Sequence, residues 1–367
     1  MFLFFVVISF LCVSMYVIGT DEAGYGSFLG PLVISATLWR FDEIDFAVFS
    51  KGEIDSNIFS RAIESADAAG ITIGDSKKLY HSGGSLVKLA SAVLASVASF
   101  GVSIGTDSEL FAAVAGMDVL PSMYSFPELS LQKIIQQNDT SPASPQTESY
   151  SNNSPNSETP SCPHVNTAAS TNYNATSTKP IALPVLVSPA FSRGVFLDVK
   201  SNVVFPIEYN KLLEKYGSKG ELLSHLTFDL VMKILDVVPS DSDEAICVFC
   251  DKHGGRNYYT NLLIEYFPDK LPSVITQSNE YSIYQIDKKQ FRFKAKGESE
   301  LPIALASMFS KLLRELAMNR FNSFWQSHIK NIKPTAGYPV DAKRFLNDIK
   351  EKLEYLQINM NEIWRNK

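Results

Sequence analysis

The sequence predicts an α/β fold, one mixed sheet with helices packed on its faces, and three observations carry that prediction. Apolar runs of strand length alternate along the chain with segments of helical spacing. Hydrophobic residues fill 45% of the 367 positions, enough to bury a sizeable core. With only 4 cysteines in that length, a disulfide scaffold is excluded and a reducing, cytoplasmic setting is the expectation.

Residues 16–20 and 32–38 read as the first strands, continuous apolar runs of the kind that suit the centre of a sheet. Residues 85–98 have helical spacing through Leu86, Leu89, Val93 and Val97, and 102–104 suggest a short strand. A helix over 220–237 places Leu222, Leu226, Leu230 and Ile234 on one stripe. Residues 245–250 read as a buried strand, 258–267 as a short helix, and 273–277 and 290–293 as two more strands. A long helix over 300–325 carries Leu301, Leu305, Met308, Leu312 and Leu316 on its apolar face. Cys247 and Cys250 have zinc-like spacing without a second pair, so both read as small buried hydrophobes.

Two segments break this pattern. Residues 1–19 carry no charge and reach the length of a bilayer-spanning helix, but they lack a basic leader and run straight into Thr20-Asp21-Glu22. They are read as an apolar extension, 1–14, entering a buried strand. Residues 138–180 are nearly all Ser, Thr, Asn and Pro and cannot offset their ordering entropy by burial. The expected organisation is a folded unit in two parts, 1–137 and 181–330, separated by a disordered insertion and followed by a C-terminal helical segment, 331–367.

The formal net charge is −6, which leaves nucleic acid open as a partner because binding follows local clusters. Lys288, Lys289, Arg292, Lys294 and Lys296 form the densest basic stretch. Asp21 and Glu22 end the first strand and precede the glycine-rich turn Ala23-Gly24-Tyr25-Gly26. Asp251 ends another apolar strand and is followed by Lys252-His253-Gly254-Gly255-Arg256. Acids at the ends of two buried strands suit a hard divalent cation, although Asp beside Gly at a strand end is most often a turn.

Gly19-Thr20-Asp21-Glu22-Ala23-Gly24-Tyr25-Gly26, followed by Gly30-Pro31-Leu32-Val33, resembles the DEAGRG and GP-V opening of the type 2 ribonucleases H, ribonuclease HII. Gly74-Asp75-Ser76-Lys77-Lys78-Leu79 is similar to the family's DSKKL block, and Ala336-Gly337-Tyr338-Pro339-Val340-Asp341-Ala342-Lys343 to its GYP-DPK block. The resemblance implies a ribonuclease H-like mixed sheet flanked by helices. It also implies a four-carboxylate site for two Mn²⁺ or Mg²⁺ ions, acting on RNA/DNA hybrids or on ribonucleotides embedded in DNA and leaving 5′-phosphate and 3′-hydroxyl ends. Asp21, Glu22 and Asp251 match three of the acids, and Glu298 is the candidate for the fourth, with Glu300 its rival. Gly24, Tyr25, Gly26, Lys77, Lys78 and Tyr338 fall on substrate-binding positions, Tyr25 standing where the family carries Arg. A catalytically impaired, hybrid-binding descendant is the alternative that Glu298 and Tyr25 raise.

Overall fold

The computed structural model describes residues 12–45, 73–74, 80, 85–125, 127–136, 194–295, 297 and 300–366. The expected insertion, residues 1–11 of the expected apolar extension, Lys77, Lys78 and Glu298 lie outside the described residues, whereas residues 12–14 of that extension belong to the first strand, which pairs from Cys12 onward.

Seven strands form one mixed sheet: β1 (Cys12–Ala23), β2 (Leu32–Asp45), β3 (Gly194–Val204), β4 (Ala245–Asp251), β5 (Ser273–Gln277), β6 (Tyr281–Ile286) and β7 (Lys289–Lys294), in the order β3-β2-β1-β4-β7-β6-β5. β1 and β4 run parallel at its centre, in register from Met15 opposite Ala245 to Thr20 opposite Cys250. β7 joins them in parallel, and β2, β3, β6 and β5 add antiparallel pairs on the two flanks. Covered on both faces, the central strands must be apolar throughout. In β1, Met15 and Val17 enter one core and Tyr16 and Ile18 the other.

One face carries α1 (Val87–Ala98), α2 (Asp107–Ala115), α3 (Leu131–Gln136), α7 (Leu301–His328) and α8 (Pro339–Tyr355). The opposite face carries α4 (Pro206–Tyr216), α5 (Lys219–Leu235) and α6 (Thr260–Tyr266), and a last turn, α9 (Met360–Ile363), follows α8. No helix among the described residues is long and apolar enough to cross a membrane.

The start of α7 lies directly on β1, and this contact sets the geometry of everything below. A Cβ on Gly19 would stand 2.2 Å from the carbonyl carbon of Pro302, so only glycine allows the approach. Pro302 occupies the first turn, where its missing N–H costs no helical bond. Its carbonyl accepts the Thr37 hydroxyl at 2.8 Å. α2 is fixed to α7 by Arg320, whose Nε donates to Asp107 at 2.6 Å with both residues buried.

Most expected elements are present within a few residues. Residues 102–104 are the exception: they form no strand, Val102 is exposed, and Thr106 makes a single bridge to Ser130 before capping α2. The chain there has only left one helix to enter the next, with no neighbouring edge to pair with.

Candidate active site

β1 and β4 end side by side because they are parallel and registered, so Asp21 and Asp251 each stand one residue beyond the last paired residues, Thr20 and Cys250. Strand alternation points both toward the α7 face, on which Val17 and Phe249 are also buried. Asp21 is buried and held from below, since the Ser310 hydroxyl of α7 donates to its backbone carbonyl at 2.9 Å. That hydroxyl also meets Ser35 at 2.9 Å, and Ser35 meets Ser201 at 2.8 Å, so a line of hydroxyls ties α7 to β1, β2 and β3 at the level of the acid.

A cleft of about 260 Å³ opens there, with Asp21, Glu22, Asp251 and Glu315 among its walls. Gly24 and Tyr338, expected to contact substrate, line it too. Tyr25 and Gly26 occupy the adjoining turn. The Tyr25 ring packs toward the α5 face, its hydroxyl lies against Gly254, and burial together with the charge of Glu22 raises its pKa above the usual tyrosine value. Glu300, the rival for the fourth acid, is engaged elsewhere, accepting Lys294 at 2.9 Å. The Gly297 N–H, one residue before Glu298, points at Asp251 Oδ1 across 3.4 Å.

Three further side chains of the cleft, Lys311, Arg314 and Glu315, come from α7 and escaped the sequence reading. The signal for Lys311 and Arg314 is a polar stripe in the otherwise apolar first half of the helix, since Ser307, Ser310, Lys311 and Arg314 fall three and four residues apart on one face. Lys311 donates to the Tyr80 carbonyl at 3.1 Å, and the Tyr80 hydroxyl donates to Glu315 at 2.8 Å. Tyr80 follows directly on the Lys77-Lys78 block, so the chain leaving that block is anchored to the cleft wall. Arg314 is buried, donates to Ser27 Oγ at 2.9 Å and to the Ala336 carbonyl at 2.8 Å, and sits 5.3 Å from the ring centre of Tyr338.

The turn Gly24–Ser27 is secured by segments from the far end of the chain. The backbone N–H groups of Phe28 and Leu29 donate to the Gly337 carbonyl at 2.8 and 3.2 Å. Gly337 has φ +82°, and a Cβ there would lie 2.4 Å from the Leu29 carbonyl oxygen, so two requirements select glycine. The buried Arg365 guanidinium donates to the carbonyls of Gly24 and Ser27 and lies 4.7 Å from the ring centre of Tyr209. Burial lowers its pKa to about 10, which leaves it charged at neutral pH.

Other candidates resolve into core. His253 is enclosed by Ser224, Tyr259 and Phe293, and burial pushes its pKa down to about 3. Cys247 and Cys250 are free, buried thiols with pKa values pushed up to about 12 by desolvation.

All carboxylate ligands of the cleft offer oxygen, the donor that hard divalent cations prefer. Among the described residues no three acidic, histidine or cysteine side chains stand close enough together to hold one ion. Oxygen donors are the kind that Mg²⁺ and Mn²⁺ take, but the described acids do not by themselves gather into a site for either ion, and the fourth expected donor, Glu298, lies outside the described residues.

Fold and site together define an α/β protein with an acidic cleft at the ends of two parallel central strands. Neither a family model nor a curated protein matches the chain. Among solved structures it is similar to a mutant of Bst-RNase HIII, at 12% identity and TM-score 0.41, covering 96% of this chain and 67% of that one. It is similar to the ribonuclease H2 from Pyrococcus horikoshii OT3, at 12% identity and TM-score 0.38, covering 95% and 92%. Bst-RNase HIII in complex with Mn²⁺ matches at 12% identity and TM-score 0.38, covering 96% and 67%.

Proposed function

We propose that the protein is a metal-dependent endonuclease of the ribonuclease HII kind, hydrolysing the RNA strand of RNA/DNA hybrids or cutting at ribonucleotides embedded in duplex DNA, to leave 5′-phosphate and 3′-hydroxyl ends. The observation that carries this reading is convergence. Asp21, Glu22 and Gly24 from the first motif block, Tyr338 from the last, and Asp251 from a separate strand line one cleft.

Asp21, Glu22, Asp251 and Glu298 would hold two divalent ions, Mn²⁺ or Mg²⁺, which supply an activated water and stabilise the leaving oxygen when bound. The chain does the rest. Gly24 and Gly26 bring bare backbone to the 2′-hydroxyl, the group that separates RNA from DNA. Tyr338, held from behind by Arg314, packs on the neighbouring sugar. Lys77 and Lys78, with Lys311, neutralise phosphate. Free core thiols agree with a cytoplasmic setting.

The impaired, hybrid-binding reading has one observation in its favour: Tyr25, in place of arginine, turns its hydroxyl toward Gly254. An end-labelled hybrid and a duplex holding one ribonucleotide, each incubated with the full chain in Mg²⁺ and in Mn²⁺, separate the two. Cleavage that disappears in Asp21→Asn is the expected result. Intact hybrid with undiminished binding would establish the impaired form.

A further inference from the structure

Beside the cleft lies a second, larger opening of about 390 Å³, and Asp251 stands in the wall of both. Its other walls are Lys252, Gly255 and Asn257, from the loop that follows Asp251, facing Asn279 and Ala295. Asn279 belongs to the turn between β5 and β6, the edge hairpin of the sheet.

The recess is built rather than accidental. Lys252 Nζ donates to Asn257 Oδ1 at 2.7 Å and to the Ser278 carbonyl at 2.5 Å. Asn257 Nδ2 donates to Asn279 Oδ1 at 3.1 Å, the Ser282 hydroxyl to the Asn257 carbonyl at 2.9 Å, and the Ala295 N–H to the Glu280 carbonyl at 2.9 Å. The hairpin turn is thereby bolted to the loop after Asp251. An ammonium has three N–H groups and an amide nitrogen two. Two acceptors leave Lys252 a third donor, and Asn279, engaged through its oxygen, keeps its amide nitrogen for a ligand. Gly255, at φ +82°, keeps the floor free of side chain. Among the described residues the walls hold no carboxylate apart from Asp251 and no apolar side chain apart from Ala295. Such a lining matches the oxygens of a sugar-phosphate.

Resting on the endonuclease reading, we propose that this recess seats the sugar-phosphate of a nucleotide next to the cleaved bond, on the same strand, with Lys252 and Asn279 donating to its phosphate. Asp251 makes the two openings continuous, so a strand whose scissile phosphate lies at the acids has its next unit at the recess.

The test is equilibrium binding of a fluorescein-labelled RNA/DNA hybrid in EDTA, over a salt series, for the full chain and the variants Lys252→Met and Asn279→Ala. Removing a charged phosphate contact should weaken binding roughly tenfold and flatten the slope of log K against log salt by about 0.7 to 0.9. Asn279→Ala, in an exposed turn, should weaken binding roughly fivefold with the slope unchanged, the signature of a neutral donor. A loss in Lys252→Met without a change of slope would make that lysine a strut of the hairpin and overturn its assignment. Unchanged affinity in both variants would overturn the recess altogether. Cleavage by the unaltered chain in Mn²⁺, measured alongside, judges the endonuclease reading separately. Cleavage with indifferent variants removes the recess and keeps the nuclease, whereas the predicted slope change without cleavage removes the nuclease and keeps the recess. A chain that neither binds nor cuts the hybrid overturns both.

Discussion

His253 illustrates how burial converts an ionisable side chain into a stability element. Its ring is enclosed, with a pKa pushed down to about 3 by desolvation and by nearby Arg256, against 6.5 in an unfolded chain. Between those values the unfolded state binds a proton that the folded state refuses, so stability is complete above the unfolded pKa and declines as pH falls. The slope should be about 1.4 kcal/mol per pH unit. Urea unfolding from pH 7 down to pH 4 should show that decline, and His253→Gln should flatten it; an identical slope in the variant would place the acid sensitivity elsewhere. Arg365 works the other way, as a permanent charge spent on two carbonyls. Arg365→Met should cost roughly 1 to 3 kcal/mol, because it strands the Ser27 oxygen and leaves the Gly24 oxygen only the Ser27 N–H at 3.2 Å. On the proposed function, hybrid binding should also fall beyond what the loss of folded protein explains, since the turn assigned to the substrate loses its anchor.

At the scale of elements, α7 is the member on which the others depend. It packs on β1 at Gly19, supplies Ser310 beneath Asp21, places Lys311, Arg314 and Glu315 in the cleft, and reaches α2 through Arg320. Asp107→Ala would leave the Arg320 guanidinium buried without its carboxylate, at a cost of about 3 to 5 kcal/mol in chemical unfolding, and the double change to apolar residues should recover much of it. The stretches legible in the sequence are those where a single period dominates: the unbroken apolar runs of β1 and β4, and the leucine stripes of α5 and α7. β3 was not legible, because Asp198, Lys200 and Asn202 interrupt its apolar residues and its place is set by pairing with distant β2. β6 hid for a different reason: it reverses into β7 at Asp287, with φ 49°, without the glycine that usually marks a hairpin. Asp21, Glu22 and Asp251 stand out as acids that end apolar runs, a weak signal by itself, and their assignment as ligands rests on the resemblance to ribonuclease HII; the structure puts all three in one cleft. Lys311, Arg314 and Glu315 could not be read, because which face of α7 meets the acids depends on how the helix crosses the sheet.

For the whole molecule, sequence distance and spatial distance are nearly unrelated around the cleft. The turn after β1 is held by Gly337 and Arg365, β1 pairs with β4, and β2 waits for β3 across residues 46–193. Topologies so rich in non-local pairs fold slowly. The clasp of Arg365 on Gly24 adds a condition of timing during synthesis. A ribosome-bound chain displays Asp21 and Glu22 early, but the support beneath their neighbouring turn does not exist until residue 365 has left the exit tunnel. On the endonuclease reading, a growing chain that has not yet displayed Arg365 carries two of the acids while the turn beside them lacks the charge that clasps it, which lies 341 residues beyond Gly24.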